Sequence, residues 1–435
     1  MAPLWLLLAS LAVYSVNLQR IASGDTVGAS LVPFALWLDG TVTLERFTAH
    51  VPEHARAFVW KDGRAYSAYP IALPILITPL YGPAAWLAGS RGWNSEQTVV
   101  LAAILEKVSA SVIAALSVAL FYLFVRRLTS GKRAILLALV YGLGTNTWVT
   151  SSQALWQHGG SEIAVIAGLW SLWRAHRSPA GRLPVLAAGL CAAVAVAVRP
   201  TNILFLAAVG AWLAVARRGW IQWAIFLAAP LCAGGLTLAY NLYVFGRPSG
   251  GNALDFDGAF WSGLAGVLAS PSRGLFVYTP VVFFSLVGAW AWWNSREKRR
   301  ESVYLVSALF CASQIFLVSH WRVWWGGHCF GPRLLTDIVP CLVLLILPGA
   351  EWLSKRRFTR AAFAAAVAVS LFVQATGAFC YPRSEWDVRP VPVGEHPSRL
   401  WDWSDNPILR GLRAGPRIGP GHEARQRIKH LFLNQ

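Results

Sequence analysis

Two long apolar runs of the chain are separated by the segment His320-Trp-Arg-Val-Trp-Trp-Gly-Gly-His-Cys-Phe-Gly-Pro-Arg-Leu-Leu-Thr-Asp337. It contains two arginines, two histidines, one aspartate, three tryptophans and three glycines, whereas the flanking runs are rich in Leu, Val, Ala and Phe. A plain connector between membrane helices tends to be short, polar and poor in tryptophan. Cations and aromatic faces, combined with glycines that let a ligand approach the backbone, predict a functional segment instead.

The composition of the whole chain agrees with a membrane location for these runs. Of the 435 residues, 56% are hydrophobic and only 13% are charged, which soluble domains of this size do not combine. Apolar runs of about 17 to 25 residues, each long enough to cross a ~30 Å hydrocarbon core as a helix, recur along most of the chain. The sequence therefore predicts an all-α polytopic membrane protein.

The net charge of +18 comes from basic residues that lie in short clusters between the apolar runs. Membrane orientation and anionic membrane lipids explain such clusters better than nucleic acid, which is not predicted as a partner. The six cysteines are scattered without a C-x-x-C pair, so neither a zinc site nor a redox motif is indicated. There is no P-loop and no G-x-G-x-x-G after a strand, so no nucleotide cofactor is predicted either.

The basic clusters also define a topology, because such residues concentrate in the cytoplasmic loops of membrane proteins. Interleaving the apolar runs places all five clusters on one side and gives about eleven transmembrane helices, with the N-terminus cytoplasmic and the C-terminus outside. The clusters lie at 126–133, 174–182, 217–218, 296–300 and 355–360. The predicted spans are 4–18, 99–125, 134–149, 161–173, 183–198, 203–216, 221–244, 278–293, 302–318, 338–352 and 361–378.

Residues 21–97 form a long first outer loop in this topology. Asp62-Gly63 predicts the turn of a β-hairpin. The run 69–83 carries four prolines and predicts interfacial helices rather than a span, because each interior proline removes a backbone hydrogen bond that lipid cannot replace. Residues 1–380 are predicted to be a transmembrane catalytic domain, and residues 381–435 a polar, basic outer tail. The unusual polar residues all fall on the outer face, which predicts one composite site there.

Three of these features together resemble a known family. An acid soon after the first helix in Gly24-Asp25-Thr26, an outer loop that ends in a Tyr69-Pro70 segment, and outer loops with Arg and His resemble the GT-C glycosyltransferases. The most similar members are the bacterial protein-mannosyltransferase and aminoarabinose-transferase group. The resemblance implies a GT-C-like fold in a bacterial inner membrane, a sugar donor on a polyprenyl phosphate, and Asp25 as the base. Many relatives carry two adjacent acids where this chain has one, which leaves the base assignment and a role for a divalent metal open.

The chemistry of such a transfer requires two kinds of side chain. The lipid phosphate leaves as a stable anion, so it needs fixed positive charge, which Arg273, Arg333, Arg199 and Lys107 are candidates to supply. The acceptor hydroxyl needs a carboxylate that removes its proton, and Asp25 is the candidate for this role, with inversion at the anomeric carbon. The candidates for contacts with sugar or acceptor are His158, His328, Tyr69, Trp325, Glu106 and Asp337.

Each candidate also has a structural alternative. Asp25 can cap an interfacial helix, and Arg199 can extend from a helix end to lipid headgroups. The histidines can be structural hydrogen-bonding groups. Glu106 and Lys107 lie within a predicted span, where charge is costly, and as sequence neighbours they point apart on a helix, so each needs another partner.

The favoured interpretation is a membrane glycosyltransferase that acts at the outer, periplasmic face, with a glycan, lipid or protein as acceptor. A transporter or flippase of lipid-linked saccharides is the first alternative, and it predicts functional polar residues at both faces or at the midplane. A ligase that acts on lipid-diphosphate oligosaccharides is the second, and it need not depend on an acid in the first loop. No metal ligand set and no cofactor are predicted from the sequence.

Overall fold

The computed structural model describes residues 1–52, 56–251, 255–295 and 302–432. These residues are mostly helical, and a single two-stranded hairpin is the only sheet among them. The helices of the first part are α1 (Ala2–Ser15), α2 (Gly24–Asp39), α3 (Ala72–Ser90), α4 (Ser95–Val125), α5 (Gly131–Leu143), α6 (Gln157–Arg177), α7 (Arg182–Val198), α8 (Ile203–Val215) and α9 (Trp220–Phe245). The helices of the second part are α10 (Phe260–Ala269), α11 (Leu275–Tyr278), α12 (Phe284–Asn294), α13 (Ser302–Ser319), α14 (Val339–Ile346), α15 (Ala350–Lys355), α16 (Arg357–Ser384), α17 (Pro407–Ala414) and α18 (His422–Phe432).

The prediction of an all-α membrane protein is confirmed, whereas the number of eleven spans is not. Within the described ranges, six helices are long and apolar enough to cross a membrane, and four shorter apolar helices have 10 to 17 residues. The six are Ala72–Ser90, Ser95–Val125, Trp220–Phe245, Ser302–Ser319, Arg333–Lys355 and Arg357–Tyr381. The predicted basic cluster at 296–300 lies outside the described residues.

The proline-rich run differs from the expectation of separate interfacial helices. It forms the single helix α3, with Pro79 and Pro83 inside it. Pro74 lies in the first turn, where no intrahelical N–H bond is lost, and each interior proline removes only one bond from a helix of 19 residues. The run therefore has the length and hydropathy of a span.

The described residues between α2 and α3 pack onto these two helices as a small unit. The predicted hairpin is confirmed: β1 (Phe58–Lys61) pairs antiparallel with β2 (Arg64–Ser67). Its turn has φ values of 50° at Asp62 and 75° at Gly63, the positive φ values that a tight two-residue turn requires. The apolar residues of α2, α3 and the first half of α4 share one buried cluster with the hairpin. This packing fixes the start of α2, which carries Asp25.

The C-terminal segment packs back onto the helices that precede it. Gly411 of α17 lies against Cys380 near the end of α16. At the start of α4, Trp93 makes an edge contact with Phe432 of α18, with ring centroids 4.9 Å apart. The ends of α16 and α4 are therefore covered by this segment.

Candidate active site

Asp25 and Arg333 form an ion pair at the start of α2. The Ser23 hydroxyl caps this helix by accepting a hydrogen bond from the Asp25 N–H, and the carboxylate lies in the first turn, where the helix dipole favours negative charge. Arg333 Nη1 donates to Asp25 Oδ2 over 2.7 Å. The Asp25 side chain remains 31% exposed and the Arg333 side chain 12% exposed, so a ligand can reach the pair from solvent.

Three further features hold the Arg333 guanidinium in place. Its Nη2 donates to the Gly326 carbonyl over 2.7 Å, and its centre lies 4.3 Å from the centroid of the Trp156 ring. Trp156 is itself fixed, because its indole N–H donates to the Ile21 carbonyl over 2.9 Å. The Nε–H of Arg333 is buried and has no hydrogen-bond partner among the described residues. Arg333 therefore keeps at least one unused donor beside Asp25.

Tyr69 completes the surroundings of the carboxylate. Its hydroxyl hydrogen-bonds to Asp25, and its backbone is held by Ser67, whose hydroxyl accepts from the Tyr69 N–H over 3.2 Å. Burial acts to raise the pKa of Asp25, but the charge and hydrogen bond of Arg333 outweigh it and hold the pKa below its ordinary value. Burial and the neighbouring Asp25 charge raise the pKa of Tyr69. At neutral pH the site therefore contains a carboxylate and a neutral phenol.

A second polar group consists of Arg199, His158 and Asp337. Arg199 Nε lies 2.7 Å from Asp337 Oδ2, and His158 Nδ1 lies 3.2 Å from Asp337 Oδ1. Arg199 Nη1 lies 2.9 Å from His158 Nε2. The same Nη1 lies 3.2 Å from His158 Nδ1. Because a guanidinium only donates, the tautomer with its proton on Nδ1 lets Nε2 accept from Arg199 and Nδ1 donate to Asp337. All three side chains are buried.

The two groups belong to one site. Arg333 and Asp337 lie on the same 3₁₀ turn, Arg333–Ile338, which leads into α14. The charges of Asp25, Arg333 and Asp337 all act on Arg199, so these four side chains share one electrostatic environment. The structure thus brings together six residues that the sequence analysis selected: Asp25, Tyr69, His158, Arg199, Arg333 and Asp337.

Arg273 does not offer its guanidinium to this site. It is almost fully buried, and its Nη2 lies 2.5 Å from Asp387 Oδ1. Its Nε donates to the Trp325 carbonyl and its Nη2 also to the Gly327 carbonyl, both over 3.1 Å. These protein acceptors occupy the donors that a phosphate would need. Sequence reasoning did not find Asp387, because it lies 114 positions away.

Lys107 makes its contacts with the backbone of neighbouring segments. Its ammonium group donates to the carbonyls of Tyr14 and Ser152 over 2.7 and 3.2 Å and to Gln153 Oε1 over 2.8 Å. Tyr14 is in the last turn of α1, where backbone carbonyls lack helical partners. The structure therefore places Lys107 as a connection between α1 and the segment before α6, where its three donors already have acceptors.

Glu106 is likewise bound to protein groups. Arg20 Nη1 lies 2.8 Å from one carboxylate oxygen, and the Leu155 N–H donates to the other over 3.3 Å. Arg20 supplies the partner that the sequence analysis required but did not identify. Of the two remaining candidates, His328 is exposed, and Trp325 is partly buried with its backbone carbonyl bound by Arg273.

Trp156 is the aromatic residue that the sequence analysis did not select. It precedes His158 by two positions, and its ring stacks on Arg333. The only sequence signal for it was this proximity to a chosen histidine. Among the described residues, no three His, Cys, Asp or Glu side chains are arranged to bind a metal ion.

No protein-family model matches the chain, and no characterised protein sequence matches it significantly. Two solved structures of ArnT from Cupriavidus metallidurans are similar to it, one bound to undecaprenyl phosphate and one in the apo state. Each alignment covers 99% of this chain and 87% of the ArnT chain, with 12% identity and a TM-score of 0.48. A similarity at this level does not identify a reaction or a substrate.

Proposed function

We propose that this chain is a GT-C-type membrane glycosyltransferase, which transfers a sugar from a polyprenyl-phosphate donor to the hydroxyl of a glycan, lipid or protein acceptor. The observation that carries the proposal is the pairing of Asp25 with Arg333 beside Arg199. It puts a carboxylate and two guanidinium groups in one partly exposed site. Transfer from a lipid phosphate needs this combination of a base and fixed positive charge.

Arg333 and Arg199 bind the donor phosphate in this proposal. Asp25 and the Gly326 carbonyl use only two of the five N–H donors of Arg333, and guanidinium groups suit phosphate because they donate two parallel hydrogen bonds. The bond between the anomeric carbon and the phosphate oxygen breaks, and its electron pair leaves with the lipid phosphate. Both arginines stabilise the negative charge that develops on this leaving group.

Asp25 is the base in the same step. The acceptor oxygen attacks the anomeric carbon from the side opposite the phosphate, which inverts the configuration, and its proton passes to the Asp25 carboxylate. In the free protein, Asp25 and Arg333 neutralise one another. A bound phosphate competes for Arg333, which loosens this pair and leaves the carboxylate, still hydrogen-bonded by Tyr69, available to the acceptor.

The remaining polar groups fit contacts with the sugar or the acceptor. The His158–Asp337 pair presents an imidazole next to Arg199. In this proposal Tyr69 donates to a sugar oxygen when Asp25 is engaged elsewhere, and the exposed His328 and the partly buried Trp325 contact the acceptor. In the proposed setting the site opens at the periplasmic face of a bacterial inner membrane, with the N-terminus in the cytoplasm and the C-terminus in the periplasm.

Reconstitution into liposomes tests this proposal. Radiolabelled polyprenyl-phosphate sugars and a membrane extract as acceptor source are supplied, and label transferred to the acceptor fraction is measured for the wild type, Arg199→Met and Arg217→Met. Arg217 is exposed and serves as the matched control. We expect transfer by the wild type and the control, and a raised KM for the donor in Arg199→Met.

A transporter or flippase would give a different result in the same liposomes. A fluorescent polyprenyl phosphate would cross the bilayer in a protein-dependent manner, and no label would reach an acceptor. A ligase would accept only lipid-diphosphate oligosaccharides. Either result would contradict the proposed reaction.

A further inference from the structure

We infer that Arg273 and Asp387 are positioning residues for the site. Arg273 of this buried ion pair binds carbonyls of the turn 325–327. The same turn binds Arg333 and keeps it next to Asp25. The catalytic consequence of this inference rests on the proposed function, whereas its structural part can be tested without any substrate.

Arg273 is bound on several sides, which limits its freedom. Nη2 lies 2.5 Å from Asp387 Oδ1 and donates to the Gly327 carbonyl over 3.1 Å. Nε donates to the Trp325 carbonyl over 3.1 Å, and Nη1 donates to the Ser272 carbonyl over 2.7 Å. Only 1% of the residue is exposed. The guanidinium group of Arg273, fixed in this way, determines where the Trp325 and Gly327 carbonyls lie.

Arg333 binds the middle residue of the same turn. It donates to the Gly326 carbonyl over 2.7 Å, so three successive carbonyls of the turn are bound by two arginines. Gly326 and Gly327 have φ values of 73° and 69°, and consecutive glycines with positive φ have little intrinsic preference for one conformation. The conformation of the turn therefore depends on its hydrogen bonds. If Arg273 loses its hydrogen bonds to the turn, the Gly326 carbonyl moves and Arg333 loses its position.

The anion that holds Arg273 comes from the C-terminal segment. Tyr381 donates from its hydroxyl to the second carboxylate oxygen of Asp387. The fully buried Trp386 ring contacts two guanidinium groups, with its centroid 5.2 Å from Cζ of Arg273 and 4.6 Å from Cζ of Arg399. Residues that follow the last predicted span thus stabilise the turn 325–327 through Arg273. A buried guanidinium that loses its carboxylate partner must rearrange, because an unpaired buried charge is strongly destabilising.

Hydrogen exchange of the full chain in detergent micelles tests the structural part. Exchange of peptides that cover 322–331 is compared in the wild type, Asp387→Asn and Arg322→Gln. Arg322 is the control because it forms an exposed ion pair with Asp257 and belongs to the same loop. We expect roughly tenfold faster exchange in Asp387→Asn, equivalent to about 1.4 kcal/mol, and no change in the control. Unchanged exchange in Asp387→Asn would overturn the inference.

A double-mutant cycle tests the catalytic part. The values of kcat/KM for sugar transfer are measured for Asp387→Asn, Arg333→Lys and the double variant. If Asp387 acts through Arg333, its substitution lowers kcat/KM in the wild-type background and has little further effect beside Arg333→Lys. Additive losses would show a general structural role and contradict positioning. A lower donor KM in Asp387→Asn would indicate instead that Arg273, once released, binds the phosphate itself.

Two further measurements keep the outcomes separate. If Asp387→Asn does not fold, Tyr381→Phe removes one hydrogen bond from the same carboxylate and should raise exchange in 322–331 by a smaller factor; no rise would overturn the inference. If the wild type transfers no sugar from any donor, the proposed function fails, while faster exchange in Asp387→Asn would still establish the link between the C-terminal segment and the turn.

Discussion

Arg333 Nη1 lies 2.7 Å from Asp25 Oδ2, although the two residues are 308 positions apart in the chain. The pair joins the start of α2 to the segment between α13 and α14, so the site exists only when these distant parts of the chain are assembled. It also gives each charge a partner while no ligand is bound. A phosphate that binds here replaces a protein carboxylate at Arg333, and the consequences of this exchange can be measured.

Removal of the Arg333 charge should lower transfer strongly. We expect Arg333→Met to reduce kcat/KM by about 10² to 10³, the usual range for loss of one group that stabilises developing charge. Arg322→Met, which changes an exposed arginine of the same loop, should stay within a factor of two or so of the wild type. Steady-state kinetics with a fixed acceptor measure both, and equal losses in the two variants would remove Arg333 from the mechanism.

The pH dependence should report on Asp25. Burial acts to raise its pKa, but Arg333 holds the pKa below the ordinary value of 3.8, so the carboxylate stays ionised between about pH 5 and pH 8. The wild-type rate should therefore show no decline on the acid side of this range. In Arg333→Met the burial remains and the lowering influence is lost, so the pKa rises and the rate should fall toward pH 5.

The same pKa shift fixes the sign of the effect on stability. A carboxyl group whose pKa is lowered by folding contributes stability above its unfolded pKa, and this contribution is lost as pH falls through the folded pKa. The Asp25–Arg333 pair should thus weaken only below about pH 4.

A wild-type decline in transfer centred near pH 6, with the protein folded, would contradict the assignment of Asp25.

Lys107 should prove to be a structural residue. Its three hydrogen bonds join α1 to the segment before α6, so Lys107→Met should lower the free energy of unfolding by about 1.5 to 3 kcal/mol. The exposed Lys132 provides the control, Lys132→Met, for which little change is expected. Thermal unfolding in detergent measures both variants. A stable Lys107→Met protein with a greatly raised donor KM would instead support a phosphate contact.

Gly28 should control the position of Tyr69. A Cβ added at Gly28 would overlap the Ser67 side chain, whose hydroxyl holds the Tyr69 backbone. Overlap of this kind costs about 1 to 3 kcal/mol, so Gly28→Ala should lower kcat/KM roughly tenfold or more. Gly89→Ala, where the nearest side-chain atom is 3.8 Å from the added Cβ, is the control. Similar activity in both variants would show that Tyr69 does not need this support.

The sequence predicted the composition of the site better than its pairings. Residues that combine charge or hydrogen-bonding capacity with a position at the end of an apolar run are few in this chain, and the topology placed them on one face. The structure brings six of them together: Asp25, Tyr69, His158, Arg199, Arg333 and Asp337.

Pairing depends on contacts that no local pattern encodes. Arg273 was one of the candidates for binding the phosphate, yet its partner Asp387 comes from the C-terminal segment. Glu106 and Lys107 point apart on α4 as expected, but their partners lie on other elements. The proline-rich run shows the same limit, since α3 tolerates Pro79 and Pro83 within a continuous helix.

The central claim is that Asp25 is the base of a transfer from a polyprenyl-phosphate sugar. The most direct test compares radiolabelled sugar transfer by the wild type, Asp25→Asn and Asp39→Asn, where Asp39 ends the same helix and forms an exposed pair with Arg46. We predict that Asp25→Asn folds and binds donor but loses about 10² to 10⁴ in kcat, while Asp39→Asn transfers like the wild type. Equal transfer by all three proteins would contradict the account.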